Sequence, residues 1–356
     1  MKHITKHFDE EIYSSSSFDF YFKDMNVGVL DIETTGLDPS RNKFILGGIF
    51  DLQTRTMHQF FAENRGEEAE ALAAFYDEIA KLDMVITYNG KHFDMPFIAR
   101  RMKVHGIGAG PGHTSGSSAF LPYNLDLYLV INGHSPIKKF DPNLKQKTVE
   151  AYMGLWQNRD DEISGAESVE LYNLYENTGD ASLENKILLH NSDDVLQLTR
   201  LIKVLSKCDL HRAMYHLGFP IKISDSKTDI THLIADKIKT EKNSLFVSGR
   251  QLTGKTSSNF DGISSGIDYM GFSFGDWPAE SRFDSRDMSF SMQLPVIRDS
   301  GLCIIDLETA GLDLNEFKKY PSCGSGFLVL EDHNDRNFME ANHFVKSFIE
   351  LFMSNI

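Results

Sequence analysis

Cysteine is scarce. Only three occur in 356 residues, Cys208, Cys303 and Cys323. An odd number without metal-ligand spacing excludes a disulfide framework and reads as reduced thiols in a cytoplasmic protein. The chain has no apolar run near the ~20 residues that cross a bilayer. Its first residues, Met1 through the Ser14–Ser17 run, lack the basic-then-apolar pattern of a signal peptide. The thirteen histidines have no zinc spacing, and basic charge is short: 36 Lys and Arg against 51 Asp and Glu, a net charge of −15. That balance argues against tight, non-specific duplex binding. It does not exclude a nucleic-acid ligand, because bound divalent ions invert the local field. The hydrophobic fraction of 41% and charged fraction of 24% are those of an ordinary globular protein, and the length suits one or two domains.

The first part reads as α/β. Strand-like runs fall at 27–32, 44–50, 56–61 and 84–88, and helix-like runs at 67–81, 94–104, 168–176 and 183–205. The first three strands follow one another with short connections, which predicts a meander. A Gly/Ser-rich loop occupies 106–118. Residues 211–243 read as a helical connector with an amphipathic helix at 228–239. From 244 the pattern changes to short strands at 244–248, 269–274, 289–294 and 327–331, then a helix at 340–353. The division expected is therefore 1–210, 211–243 and a smaller β-rich domain, 244–356. The 26 phenylalanines are read as core.

Acidic residues carry the chemistry. Asp31 and Glu33 stand two apart in an apolar run that ends at Thr34-Thr35-Gly36-Leu37. On a strand both project from one face. Paired carboxylate oxygens suit magnesium or manganese. Asp94 follows Asn89-Gly-Lys-His-Phe93 at the start of a helix-like run, where an acid also favours the helix dipole. His190 and Asp194, four apart, share one face of a helix. That helix is largely apolar, and a buried carboxylate needs a partner or a metal. Four carboxylates with this histidine form a set able to hold two divalent cations ~4 Å apart, with a scissile phosphate between them. His190 stands where it orients the attacking water or takes its proton.

With these residues in hand, the chain resembles the DEDD exonuclease superfamily, whose fold is ribonuclease H-like. Asp31-Ile-Glu33-Thr-Thr-Gly-Leu37 is similar to its first motif, Asn89-x-x-x-Phe93-Asp94 to its second and His190-x-x-x-Asp194 to its third. The likeness extends to the bacterial YprB-type ribonuclease H-like domain. Lys147-Thr-Val-Glu150, Arg159-Asp-Asp-Glu-Ile163-Ser-Gly165 and His190-Asn191-x-x-Asp194-Val195 resemble stretches of that group. It covers roughly residues 24–206. One departure stands out: the superfamily's third motif is Tyr-x-x-x-Asp or His-x-x-x-x-Asp, and here a histidine occupies the tyrosine spacing. The resemblance implies a mixed sheet flanked by helices and a metal-dependent 3′→5′ exonuclease releasing 5′-mononucleotides from single-stranded nucleic acid. It implies that Thr34 and Leu37 contact the terminal nucleotide. Phe93 would stack on a base, Asn89 would bond near the terminal sugar and Lys147 would reach a phosphate.

Two alternatives stay open. The same fold binds nucleic acid without cutting it, or the protein hydrolyses ATP through Gly249-Arg-Gln-Leu-Thr-Gly254-Lys255-Thr256, which fits a P-loop pattern but precedes a poor helix former. A second copy of the first motif, Asp306-Leu-Glu308-Thr-Ala-Gly311-Leu312, has no second and third motif after it and reads as a strand-and-turn coincidence.

Overall fold

Apolar runs in the first half of the chain assemble into one six-stranded mixed sheet. The computed structural model describes residues 1–108, 121–140, 143–155, 163–224, 228–253, 266–271, 273, 277–333 and 335–356. It divides into two compact units, Met1–Cys208 and Asp209–Ile356. In the first unit the strands are β1 (Lys2–His7), β2 (Val27–Thr34), β3 (Phe44–Asp51), β4 (Thr56–Phe61), β5 (Met84–Thr87) and β6 (Tyr123–Asp126). Their order is β1-β4-β3-β2-β5-β6. β2, β3 and β4 form the expected antiparallel meander, and β5 joins β2 in parallel. The helices are α1 (Ser16–Phe22), α2 (Glu68–Ile79), α3 (Asp94–His105), α4 (Leu127–His134), α5 (Ile137–Phe140), α6 (Gln146–Tyr152), α7 (Gly165–Thr178) and α8 (Ala181–Leu201).

Two adjacent glycines let helices close on both faces of β3. A Cβ on Gly47 would lie 2.5 Å from the Phe75 ring of α2, and one on Gly48 would lie 2.3 Å from Asn191 Oδ1 of α8. Successive strand residues face opposite sides, so this pair clears space for one helix above and one below. On the α2 side, Leu72, Phe75 and Ile79 bury against Phe44, Ile49, Phe60, Val85 and Phe97. On the α8 side, Ile187 and Leu183 bury with Leu46, Phe61, Tyr172 and Tyr175. Each such side chain, fully buried, contributes ~1.5–3 kcal/mol.

A buried ion pair fixes the loop after β2. Arg101 of α3 grips Glu68 of α2 through Nε and Nη2, at 2.6 and 2.7 Å. Glu68 Oε1 also accepts from the Phe44 backbone N–H at 2.9 Å, and Arg101 Nη1 donates to Pro39 O at 3.2 Å. Both charges are almost wholly buried, so each depends on the other.

The second unit comprises α9 (Leu210–Leu217), β7 (Phe219–Lys222), β8 (Ile230–Glu241), β9 (Ser244–Thr253), β10 (Tyr269–Gly271), β11 (Glu280–Asp284), β12 (Ser289–Pro295), β13 (Ile297–Asp299), β14 (Leu302–Asp306), α10 (Leu314–Phe317), β15 (Phe327–Asp332), β16 (Asp335–Arg336) and α11 (Phe338–Asn355). Two sheets result, ordered β10-β11-β12-β9-β8-β7 and β13-β14-β15-β16. Phe283, Phe290, Phe344, Phe348 and Phe352 are buried here, as core aromatics.

Two expectations change. The helix foreseen at 228–239 is strand β8, and 211–243 is part of this β-rich unit. A turn at Lys242 and Asn243 returns β8 directly onto β9, with Glu241 opposite Ser244. A register shift between Ala235 and Lys237 makes the strand's apolar spacing look helical. The P-loop alternative loses its loop: residues 249–253 lie in β9, paired with β8 and β12, and 254–256 lie outside the described residues. The second Asp-x-Glu is the strand end and turn that its sequence suggested. β14 ends at Asp306, whose carboxylate closes a turn by accepting from Thr309 N and Oγ1 at 3.0 and 2.8 Å. The loop foreseen at 106–118 lies mostly outside the described residues, as do 159–162. No described helix is long and apolar enough to cross a membrane.

Candidate functional site

The site grows from the end of β2, a strand buried throughout except at Asp31. Asp31 and Glu33 leave the same face of the sheet. The ladder with β3 slips between Glu33 and Thr34, an irregularity of the kind that re-aims side chains beside functional sites. Glu33 is 7% exposed, and Asp31 keeps an accessible edge.

Asp94 opens α3 after a tight turn. Asn89 takes a left-handed conformation, φ +63°, tolerated by a short polar side chain. The Asp126 carboxylate at the end of β6 holds that turn, accepting from Asn89 N at 2.9 Å and Lys91 N at 3.0 Å. It also caps α4 through Leu129 N at 3.4 Å. Asp94 is buried, and its Oδ1 has no hydrogen-bond partner.

α8 crosses the sheet over β2 and β3 and supplies the third side. His190 Nε2 lies 3.7 Å from Glu33 Oε1 and 3.6 Å from Asp194 Oδ2. Ligand atoms of Glu33, His190 and Asp194 all lie within 4.8 Å of one another. One helical turn separates His190 from Asp194, so both face the strand end.

Burial sets the electrostatics of the cluster. Burial pushes the Asp31 carboxyl well above the usual range, and Asp194, Asp94 and Glu33 add to the rise. Burial lifts Glu33 to about 7; the His190 imidazole opposes this and Asp194 adds to it. Burial also lifts Asp94 to about 7, against backbone groups of Asp94 and Ile32, with Asp126 adding to the rise. The four expected carboxylates thus converge with His190. Oxygen donors with one imidazole, and an orphaned buried oxygen on Asp94, fit hard divalent cations.

The expected contact residues lie around this cluster in different states. Thr34 is buried, and its hydroxyl donates to Gly36 O at 2.8 Å, which closes the turn. Leu37, on the following residue, is 81% exposed. Asn89 Oδ1 pairs with His92 Nδ1 at 3.1 Å. Phe93 is half-buried against Phe97, ring centroids 5.7 Å apart. Lys147, on α6, donates from Nζ to Ile163 O at 3.3 Å. The preceding residue, Gln146, donates from Nε2 to Asp194 O at 3.3 Å, so α6 flanks the third motif.

Sequence reading missed Asp126 and gave Asn191 no role. Asp126 lies in Asn124-Leu125-Asp126-Leu127, where a single acid ends a short apolar run; the signal was present but weak. Asn191 neighbours His190 in sequence, yet its role depends on a glycine of β3.

The RNase_H superfamily model matches residues 29–206. An uncharacterized protein of Methanocaldococcus jannaschii is 26% identical over 192 residues, which are 52% of this chain and 98% of that protein. Among solved structures, the family B DNA polymerase of Pyrobaculum calidifontis aligns with 16% identity and a TM-score of 0.42, over 93% of this chain and 46% of the polymerase. Escherichia coli exonuclease I with a dT13 oligonucleotide aligns with 13% identity and a TM-score of 0.30, over 63% of this chain and 55% of the exonuclease. The chain therefore spans about half the length of these solved structures. The family match covers half the chain, including all four carboxylates, His190 and five of the six strands in whole or in large part. By that match the chain belongs to the ribonuclease H superfamily.

Proposed function

We infer that residues 1–210 form a metal-dependent 3′→5′ exonuclease of the DEDD type, related to the YprB-type domains and working in the cytoplasm on single-stranded nucleic acid. One observation carries the reading: carboxylates from three distant segments, Asp31 and Glu33, Asp94, and Asp194, converge with His190 at one strand end of a ribonuclease H-like sheet. Such a concentration of buried negative charge is costly, and cation binding is the function that offsets the cost.

Two magnesium or manganese ions, when bound, supply the Lewis acidity that activates water and stabilises a departing 3′ oxygen. Asp31, Glu33, Asp94 and Asp194 would hold them. His190, between Glu33 and Asp194, orients the attacking water and accepts its proton as general base. Its imidazole stands at a helical position that holds a phenol in the tyrosine-bearing branch, which alters the rate more than the reaction class. Leu37, exposed just after the turn that Thr34 closes, would offer an apolar surface to the terminal base. Asn89 and Phe93 lie on the turn that leads into Asp94, toward the terminal sugar and a stacked base. Lys147 supplies a cation for the backbone on the α6 side.

The test is digestion of end-labelled single-stranded DNA and RNA with manganese, with products sized. A ladder shortening from the 3′ end, lost in Asp31→Ala and Asp194→Ala variants that keep their circular dichroism, supports the reading. Binding of the strands with no cleavage by the wild type would select the catalytically silent alternative.

A further inference from the structure

We propose that Asn191, held from behind by Gln59, is a positioning residue that aims the Asp31 carboxylate at its cation. The inference rests on the functional reading above. Asn191 is wholly buried on α8. Its Nδ2 donates to Asp31 Oδ2 at 3.2 Å and to Asp31 O at 3.3 Å. Its Oδ1 accepts from Gln59 Nε2 of β4 at 3.0 Å, and the same Nε2 donates to Leu188 O at 2.8 Å.

This chain of bonds fixes the direction of the amide. An amide carries its donors on one side and its acceptor on the other. Gln59 presents N–H groups to Asn191, so the Asn191 oxygen must face Gln59 and its NH2 must face Asp31. Turned over, Asn191 would set N–H against N–H and oxygen against carboxylate. One oxygen of Asp31 is thereby held from the protein side, and the other is left for a ligand.

Gly48 makes room for the device. It sits opposite Asp31 in the β2–β3 ladder. A Cβ there would fall 2.3 Å from Asn191 Oδ1 and 3.1 Å from Val195 Cγ2, displacing the amide from its seat. The choice of a neutral donor also matters. An arginine or lysine in place of Asn191 would hold Asp31 equally well but would neutralise it and repel a divalent cation. The amide orients the carboxylate and leaves its charge available. Outer-sphere partners of this kind change metal affinity ~10–100-fold when removed.

The experiment is Mn2+ titration of the full chain by calorimetry, with the oligonucleotide assay alongside. Asn191→Leu is expected to weaken Mn2+ binding ~10–100-fold and to lower kcat while leaving KM for the oligonucleotide unchanged. Gln59→Met, which frees the amide without touching Asp31, is expected to weaken binding to a smaller extent and serves if the first variant does not fold. Gly48→Ala is expected to match Asn191→Ala, and the double variant to be no worse than either, because both act through one side chain. Unchanged Mn2+ affinity in folded Asn191→Leu or Gln59→Met would overturn the positioning role while leaving the nuclease reading intact. No Mn2+ binding by the wild type would overturn both.

Discussion

Replacing Glu33 by glutamine should make the cation-free protein more stable, although it removes a ligand. In the folded protein burial raises Glu33 to about 7, whereas the unfolded chain has a glutamate pKa of ~4.3. Below the lower value both states are protonated and nothing is lost. Between the two, the folded state keeps a proton that the unfolded state has released, so stability falls as pH rises. Above about 7 the full penalty is present. At ~1.4 kcal/mol per pH unit of pKa difference, this amounts to ~4 kcal/mol. Glutamine stays neutral and escapes it. Burial raises Asp31 and Asp94 as well, and Asp31 is raised further by Asp194, Asp94 and Glu33; the gain from Glu33 alone therefore lies at or below that figure. For a unit of this size, ~4 kcal/mol corresponds to roughly 8–16 °C in Tm. The assay is thermal melting in EDTA at about pH 5 and about pH 8, repeated with manganese. Wild type should melt lower at about pH 8 than at about pH 5, and Glu33→Gln should flatten the difference. Manganese in large excess should reverse the ranking, because only the intact set binds it well; a ligand at ~1,000 times its Kd adds ~4.1 kcal/mol. A Glu33→Gln variant less stable than wild type in EDTA at about pH 8 would refute the argument that burial penalises the charged Glu33 carboxylate in the folded protein.

Further predictions follow from the same geometry. Asp126→Ala leaves the Asn89 and Lys91 N–H groups without their acceptor and should cost ~1–3 kcal/mol, read by urea denaturation, with activity falling as the turn before Asp94 loosens. Asn89→Ala must enter the left-handed region at a cost of ~1–2 kcal/mol, whereas Asn89→Gly should keep stability; comparing the melting of the two separates conformation from contact. Arg101→Met strands the buried Glu68 carboxylate and should cost ~3–5 kcal/mol, seen in the denaturation midpoint. His190→Ala should lower kcat ~10²–10⁴-fold in the oligonucleotide assay.

The meander, the helices at 94–105 and 181–201 and the β character of the second unit were legible because each rests on local patterning. The grouping of Glu33, His190 and Asp194 was suggested by the order and spacing of the acidic motifs along the chain, with Asp31 two residues from Glu33 on β2 and Asp94 opening α3. β8 was not legible. Its apolar residues satisfy a helical period as well as a bulged strand, and only pairing with β7 and β9 decides between them. The edge strand β1, six residues paired with β4 and largely exposed, has almost no apolar alternation to announce it. Asn191 escaped a role for a different reason: its meaning depends on Gly48 and Gln59, which are distant in sequence and individually ordinary. Buried polar networks are specified by three-dimensional complementarity, and no single-strand or single-helix period carries them.

The most direct trial of the account is one gel. A 5′-labelled single strand is incubated with manganese and either wild-type protein or a folded Asp194→Ala variant, each with an EDTA control. Stepwise shortening from the 3′ end by the wild type alone, and only without EDTA, is the predicted result. Equal digestion by the variant, or digestion that persists in EDTA, would contradict it.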